Sequence, residues 1–469
     1  MSPQTEQATR LLCASVLTNR GAARDLVLAW VRDTRRAVAV ELGLDLALTL
    51  KVARWAHRHA DSVWRKYLFV CIAVALLVAC DAPPVMALLT LLVAAFVWRQ
   101  ERLRMHEHLQ LFTRKEFNPL RVARTFDGTL TGNDLDALPK ANQNLFVYAG
   151  FDPFVGVGHD LGGWSVAVAL DRAAKSRFHT ESVEPVDGDD LYAAVDAAVD
   201  SLGLSTHEPQ QCFFVRGTDV REHIQILPDA LGRPRQTYSS NCEEHTDVRM
   251  VRDYRCYRVL GWNSELVFSY YLRCSLRGKA LFVETKRFML TPLSDTYRFV
   301  DGLRPLNRTD LAATAVSALI YGPVLALLSP LWWAQRLIAA GIESSSIVRE
   351  ARDNYIRNNP RHDYGANTSL RSSFASGAYA HYFQKLDGDF YNKLFDRTVL
   401  DSIVDLLDSR GIDTSSLREQ QTAILNSGVI VQQGNVVADS IAVGTNSQVT
   451  KQVLGISGLR KHSAEKAAE

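Results

Sequence analysis

Two uncharged apolar runs, residues 67–80 and 85–98, face each other across Asp81-Ala82-Pro83-Pro84 in WRKYLFVCIAVALLVACDAPPVMALLTLLVAAFVWRQERLR. A chain with such a pair can hide it as a helical hairpin in a bilayer or as the buried centre of a large helical domain. Each run is only ~21 Å of helix at ~1.5 Å per residue, so flanking residues must help to cover a hydrocarbon core of ~30 Å. Trp64, Tyr67 and Trp98 are placed to sit at the interface, with Arg65, Lys66 and Arg99 reaching past it. An uncharged stretch so rich in Leu, Val and Ala favours the bilayer. Both outer ends are basic (Arg65, Lys66; Arg99, Arg102, Arg104) and the link carries no basic residue, so the positive-inside rule puts both ends in the cytoplasm. Pro83 and Pro84 push the residues before them away from helix and fit a turn.

A second apolar region, LAATAVSALIYGPVLALLSPLWWAQRL at 311–337, is interrupted at Gly322-Pro323 and Ser329-Pro330. It can be one kinked span, which would carry the C-terminus outside, or a re-entrant or interfacial pair that returns to the cytoplasm. Trp332 and Trp333 followed by Arg336 read as an interfacial edge, and the returning arrangement is the expected one. The start, MSPQTEQATR, has no apolar core or small-residue cleavage site, so internal segments are expected to reach the membrane.

The remaining chain divides by pattern. Residues 1–62 read as amphipathic helix, with Arg32, Arg35 and Arg36 either facing anionic headgroups or forming a solvated face. Residues 63–104 hold the hairpin. From 125 to 305, β-branched and aromatic runs punctuated by glycine, with the helix-patterned DDLYAAVDAAVDSLGL between them, predict a cytoplasmic α+β domain built on a mostly antiparallel sheet. The second apolar segment occupies 310–340, polar helices follow over 345–425, a β-forming tail over 426–452, and a polar end over 453–469. The expected fold is therefore an α+β membrane protein.

Chemistry is harder to find. With 53 Lys and Arg against 51 Asp and Glu, no overall basic field would hold nucleic acid. The seven cysteines include no Cys-x-x-Cys, which fits a reducing compartment and neither a disulfide framework nor a zinc knuckle. GVGHDLGG (Gly156, Gly158, Gly162, Gly163) has phosphate-loop composition, yet it meets neither G-x-G-x-x-G nor the Walker spacing and runs into strand-like WSVAVAL, so a flexible hairpin loop between Phe154 and Trp164 is expected. Cys242, Glu243, Glu244 and His245 read as a polar loop. His57 with His59, and His106 with His108, stand at i and i+2, about 200° apart on a helix, so neither pair chelates by itself. No catalytic constellation, cofactor site or metal site emerges.

The tail is unlike the rest. GVIVQQGNVVADSIAVGTNSQVT, residues 428–450, has one charge, no proline and no aromatic residue. Low charge with high β-propensity suits in-register stacking, in which Gln432, Gln433, Asn435, Asn446 and Gln448 can form amide ladders. Gly428, Gly434 and Gly444 permit tight arcs between short strands. GNVVADSIAVGTNSQV resembles the bacterial amyloid signalling motifs related to the RIP homotypic interaction motif, with Ile441, Ala442, Val443, Gly444 and Asn446 on its apolar-x-apolar-Gly centre and following Asn. Ala442 stands where the animal motif carries Gln, and Asn446 follows Gly444 by two residues rather than three. The resemblance implies an assembly motif of Val429, Val431, Gly434, Asn435, Val437, Ile441, Val443, Gly444 and Asn446, at the end of a membrane-acting effector that a receptor with a matching motif switches on. The 145–170 and 360–428 stretches also resemble a group of actinobacterial membrane proteins, a likeness that brings a lineage and no function.

Together these readings predict a non-enzymatic, multi-pass plasma-membrane protein with both termini cytoplasmic. Its partners would be the lipid bilayer, its own copies and a receptor with a matching motif, and its role a defence or cell-death response. The other reading is a membrane-anchored sensor or scaffold whose 125–305 domain binds a ligand or partner, with the tail as a local β-cap.

Overall fold

The computed structural model describes residues 6–19, 21, 35–126, 138, 143–173, 183–204, 208–239 and 251–426. The tail motif at 428–450 and the Cys242–His245 cluster lie outside the described residues. Met1–Thr414 form one compact unit and Ser415–Glu469 a second, to which helix α10 (Ser415–Asn426) belongs.

Among the described residues, seven strands carry the first unit: β1 (Leu145–Tyr148), β2 (His159–Asp160), β3 (Ser165–Ala169), β4 (Gln210–Arg216), β5 (Arg252–Gly261), β6 (Leu266–Arg277) and β7 (Ala280–Leu290). Their order is β1-β4-β5-β6-β7-β2, with β3 also on the β7 edge. Among the described strands only β1 and β4 run parallel. Alternation sorts the side chains. Tyr254, Cys256, Tyr271 and Phe288 point into one face, where Phe154 fills the curl of the sheet. Tyr257, Phe268 and Tyr270 point to the other, against Phe395 of helix α9 (Tyr382–Ser409). Helix α5 (Gly188–Asp200) lies beside α9. Asp187 caps its start, and Leu191, Val195 and Val199, one turn apart, form its buried stripe.

The glycine-rich stretch is not a flexible loop. Leu161 donates its N–H to Arg287 O at 2.9 Å and Arg287 returns the bond to Gly162 O at 3.0 Å, so β2 and β3 form one bulged edge strand on β7. A Cβ on Gly163 would stand 2.0 Å from Thr285 O, and one on Gly158 (φ +108°) 2.3 Å from Met289 O. Glycine is there for backbone approach to β7.

Helices α1 (Glu6–Thr18), α2 (Leu46–Ala79), α3 (Pro84–Gln110) and α4 (Pro119–Thr125) pack through Leu11, Leu12, Leu50, Val52, Phe112 and Phe126, all at most 1% exposed. Asp45 caps α2 by accepting from Leu48 N at 2.9 Å. That helix is one unbroken rod from the amphipathic segment into the first apolar run, where the sequence pattern suggests a boundary near residue 62. Asp81 (φ +50°) and the two prolines make the turn into α3.

Helix α6 (Arg308–Ser344) passes through both Pro323 and Pro330. Its start follows the 3-10 turn Asp295–Gly302, which packs on α1. Tyr321 stacks on Trp98 at 5.7 Å, and a Cβ on Gly322 would lie 2.5 Å from Ala95 Cα, so the helices touch backbone to backbone there. Then the contacts descend α2. Ala326 packs with Val70, Tyr67 and Val63; Trp332 stacks on Trp64; Arg336 reaches Asp61 at 2.9 Å and His57 at 2.8 Å. Helix α7 (Ser346–Asn358) follows, and its Ile356 is buried against Leu145, Val147 and Phe213 of the sheet. The helix therefore starts from the body, turns back within its own length and returns to it, with its prolines where the direction changes. Ala94, where α6 packs, stands roughly 15 Å of helix from the hairpin tip at ~1.5 Å per residue.

Candidate ligand cleft and membrane girdle

The residues expected at the membrane interface gather between α2, α3 and α6. Trp64 stacks on Trp332 at 4.9 Å, and Trp333 packs edge-on against Trp332 at 5.2 Å. Arg102 lies over Trp98 at 5.4 Å. Lys66 donates to Glu101 at 2.9 Å, while Arg65 is exposed and Arg99 half-buried. Indoles thus meet α6 on both of its partner helices, Trp64 of α2 and Trp98 of α3. Beyond them Phe69, Leu76, Val85, Phe96, Leu327 and Leu331 are all 56% or more exposed, the opposite of a folded interior. The histidine pairs separate as their spacing requires: His57 meets Arg336, His59 meets Glu101 at 2.7 Å, and His108 packs edge-on to Trp55. No group of three or more His, Cys, Asp or Glu is placed to hold a metal among the described residues.

A cleft of about 350 Å³ opens where the β5–β6 turn meets the helical body. Strand pairing ends at Gly261 and Leu266, and the four residues between them make the turn. Trp262, Asn263 and Ser264 take φ of +54°, +56° and +63°. Left-handed backbone costs about 1–2 kcal/mol for an ordinary residue, so three in a row persist only because their surroundings hold them. Ser264 is fully buried against the Gly43 turn. The fully buried Arg371, on the short helix α8 (Leu370–Ser373), donates at 2.9 Å to both Glu265 O and Thr291 O. The indole of Trp262, 40% exposed, donates to Asp387 Oδ2 at 2.8 Å and stacks on His381 at 5.8 Å.

Arginines form the opposite wall. Arg10, 2% exposed, donates through Nη1 to Phe112 O and to Asp301 Oδ1, each at 2.7 Å, and its Nη2 is buried with no hydrogen-bond partner. Arg114 meets the other Asp301 oxygen at 3.0 Å and is largely exposed. Arg298 donates to Glu265 Oε2 at 2.7 Å. Burial works against the Asp301 charge, but the hydrogen bonds from Arg10 and Arg114 outweigh it and hold that carboxyl below the usual range. Two carboxylates thus fix three guanidinium groups around one opening. Arg10, Arg298 and Trp262 carry no motif in the sequence; the trace they leave is a polar WNSE between two strand patterns, where Gly or Asn-Gly would make the cheaper turn.

Among the described residues, three helices long and apolar enough to cross a membrane, joined to a curled, mostly antiparallel sheet, define an α+β membrane protein. Within that class the chain belongs to the AbeC-like domain family, whose model matches residues 163–438, more than half of its 469 residues. The match takes in β3 to β7 and the helices that follow them. No match was found among curated proteins or among solved structures.

Proposed function

We propose that this chain is a non-enzymatic plasma-membrane protein that works by assembly. The α2–α3 hairpin anchors it, α6 re-enters the same leaflet, and the body faces the cytoplasm. The cytoplasmic 428–450 tail pairs in amyloid-like fashion with other copies or with a receptor bearing a matching stretch, as part of a defence or cell-death response. The observation that supports this most is the return of α6. Leu293 and Val300 before it and Ile356 and Tyr364 after it are all buried within the first unit, and the basic hairpin ends, Arg65, Lys66, Arg99 and Arg104, favour the cytoplasm for that unit. An assembly motif has a use only where partners can reach it, and gathering many weakly associating hairpins raises their local concentration.

Protease added to intact cells tests the topology: a C-terminal tag should survive until the membrane is permeabilised, and cleavage in intact cells would sink the proposal. A 424–452 peptide should form thioflavin-positive fibres, whereas Gly444→Pro and Val443→Asp versions should neither form nor accept seeds.

A further inference from the structure

We infer that the cleft between the β5–β6 turn and α1 binds a mononucleotide, its phosphate on the arginine wall and its base against Trp262. Three observations converge. Arg10 is 98% buried by the complement of its 2% exposure and lines the opening, with an Nη2 donor that no protein atom takes. A buried cation with an unpartnered donor is costly, and an anion seated in the opening that Arg10 lines would offset that cost through its charge. Arg114 and Arg298 converge on the same opening, each held by a carboxylate and with donors left for an anion.

The second observation is the turn itself. Backbone strain at three successive residues holds an indole and an amide in the lining, and strain of this kind collects at ligand clamps. Trp262 is fixed at its nitrogen by Asp387 and stacked by His381, which makes its partly exposed ring a rigid planar surface. Asn263 and Glu265 add an amide and a carboxylate that can read the polar edge of a base or the hydroxyls of a sugar. The third is size. About 350 Å³ lies at the low end of small-molecule pockets, roughly 300–1,000 Å³, and suits one nucleotide unit rather than a dinucleotide. The inference stands on the body alone and does not depend on the tail.

The test is titration of the full chain in lipid nanodiscs, followed by calorimetry and tryptophan fluorescence. The probes are AMP, GMP, ATP and GTP, the matching nucleosides, and inorganic phosphate. A mononucleotide should saturate the site, with its nucleoside and phosphate alone each at least tenfold weaker. Arg114→Ala, a largely exposed position, should weaken binding about tenfold or more with an unchanged unfolding temperature, and Trp262→Leu should weaken nucleotide more than phosphate. No nucleotide binding near 1 mM, equal binding of phosphate alone, or binding that both variants leave intact would each overturn the inference.

Discussion

Asp396 is the residue whose loss should cost the body most. It sits on α9 with its side chain 8% exposed and accepts from three elements of the sheet: Trp164 Nε1 at 2.9 Å, Tyr270 OH at 3.3 Å and an Nη1 of Arg287. Arg287, 13% exposed, keeps only a long bond to Gly162 O at 3.4 Å once that carboxylate is gone. Removing one partner of a buried pair strands the other charge, which costs about 3–5 kcal/mol. At ~2.1 cal/mol/K per residue, a unit of ~400 residues moves its midpoint by roughly 1 °C per kcal/mol, so Asp396→Ala should lower it by about 3–6 °C. Asp396→Asn keeps acceptors and should fall between that variant and the parent. The decisive comparison is Asp396→Ala with Arg287→Met. Removing both charges should restore most of the loss, a coupling of at least ~2 kcal/mol in a double-mutant cycle. Urea unfolding of the detergent-solubilised full chain, read by tryptophan fluorescence, measures it. A loss under about 1 kcal/mol for the single variant, or a double variant no more stable than it, would refute the reasoning.

Glu41 should make stability depend on pH. Burial pushes its carboxyl from 4.5 up to about 7, against the N–H groups of Arg371 and Leu370 and the Ser369 hydroxyl that it accepts from. A folded value above the unfolded one means stability fully present below about 4.5 and lost as pH rises through about 7, roughly 3 kcal/mol in all. Glu41→Gln should flatten that slope in unfolding curves taken from pH 4.5 to 8, and an unchanged slope would assign it to other groups. Gly322→Leu should force α6 off α3, because its Cβ alone would stand 2.5 Å from Ala95 N, at a cost of about 1–3 kcal/mol. Cross-linking between Ala94→Cys and Ala326→Cys should drop sharply in that background; undiminished cross-linking would count against the close contact. Gly365→Ala would put a Cβ 2.1 Å from the carbonyl carbon of Tyr148 and should loosen the bonds that Val147 and Ala149 share with Ala366, seen as faster amide exchange along β1.

Local features were legible. The hairpin declares itself by run length, flanking charge and two prolines, and α5 by a capping Asp187 and apolar residues one turn apart. Strands β5 to β7 follow each other in space as in sequence, so a mostly antiparallel sheet could be read directly. The glycine-rich edge could not, because its partner β7 lies about 120 residues downstream and only that pairing turns a loop-like composition into a bulged strand. Nor could the cleft. Arg10 and Asp301 meet across 291 residues, and neither belongs to a recognisable spacing. The tail rests on composition and resemblance, since its residues lie outside those described.

The course of α6 shows why hydropathy alone leaves direction open. A window of apolar residues measures whether a helix can live in lipid, and α6 passes that test as readily as α2 and α3. What sends it back is where its neighbours in the chain must be. Arg371 binds carbonyls on both sides of β6 and β7, Phe395 packs on Phe268, and Ile356 is buried with β1 and β4. Residues after α6 thus complete a core begun by residues before it. Gly322-Pro323 and Ser329-Pro330, read in isolation as interruptions, become the means of reversal: proline frees carbonyls that Ser329, bonded to Ala326 O at 2.6 Å, partly takes up. A returning helix also explains the paired indoles. Its first part sets Tyr321 on Trp98 and its later part sets Trp332 on Trp64, so one segment supplies aromatic contacts to both helices of the hairpin.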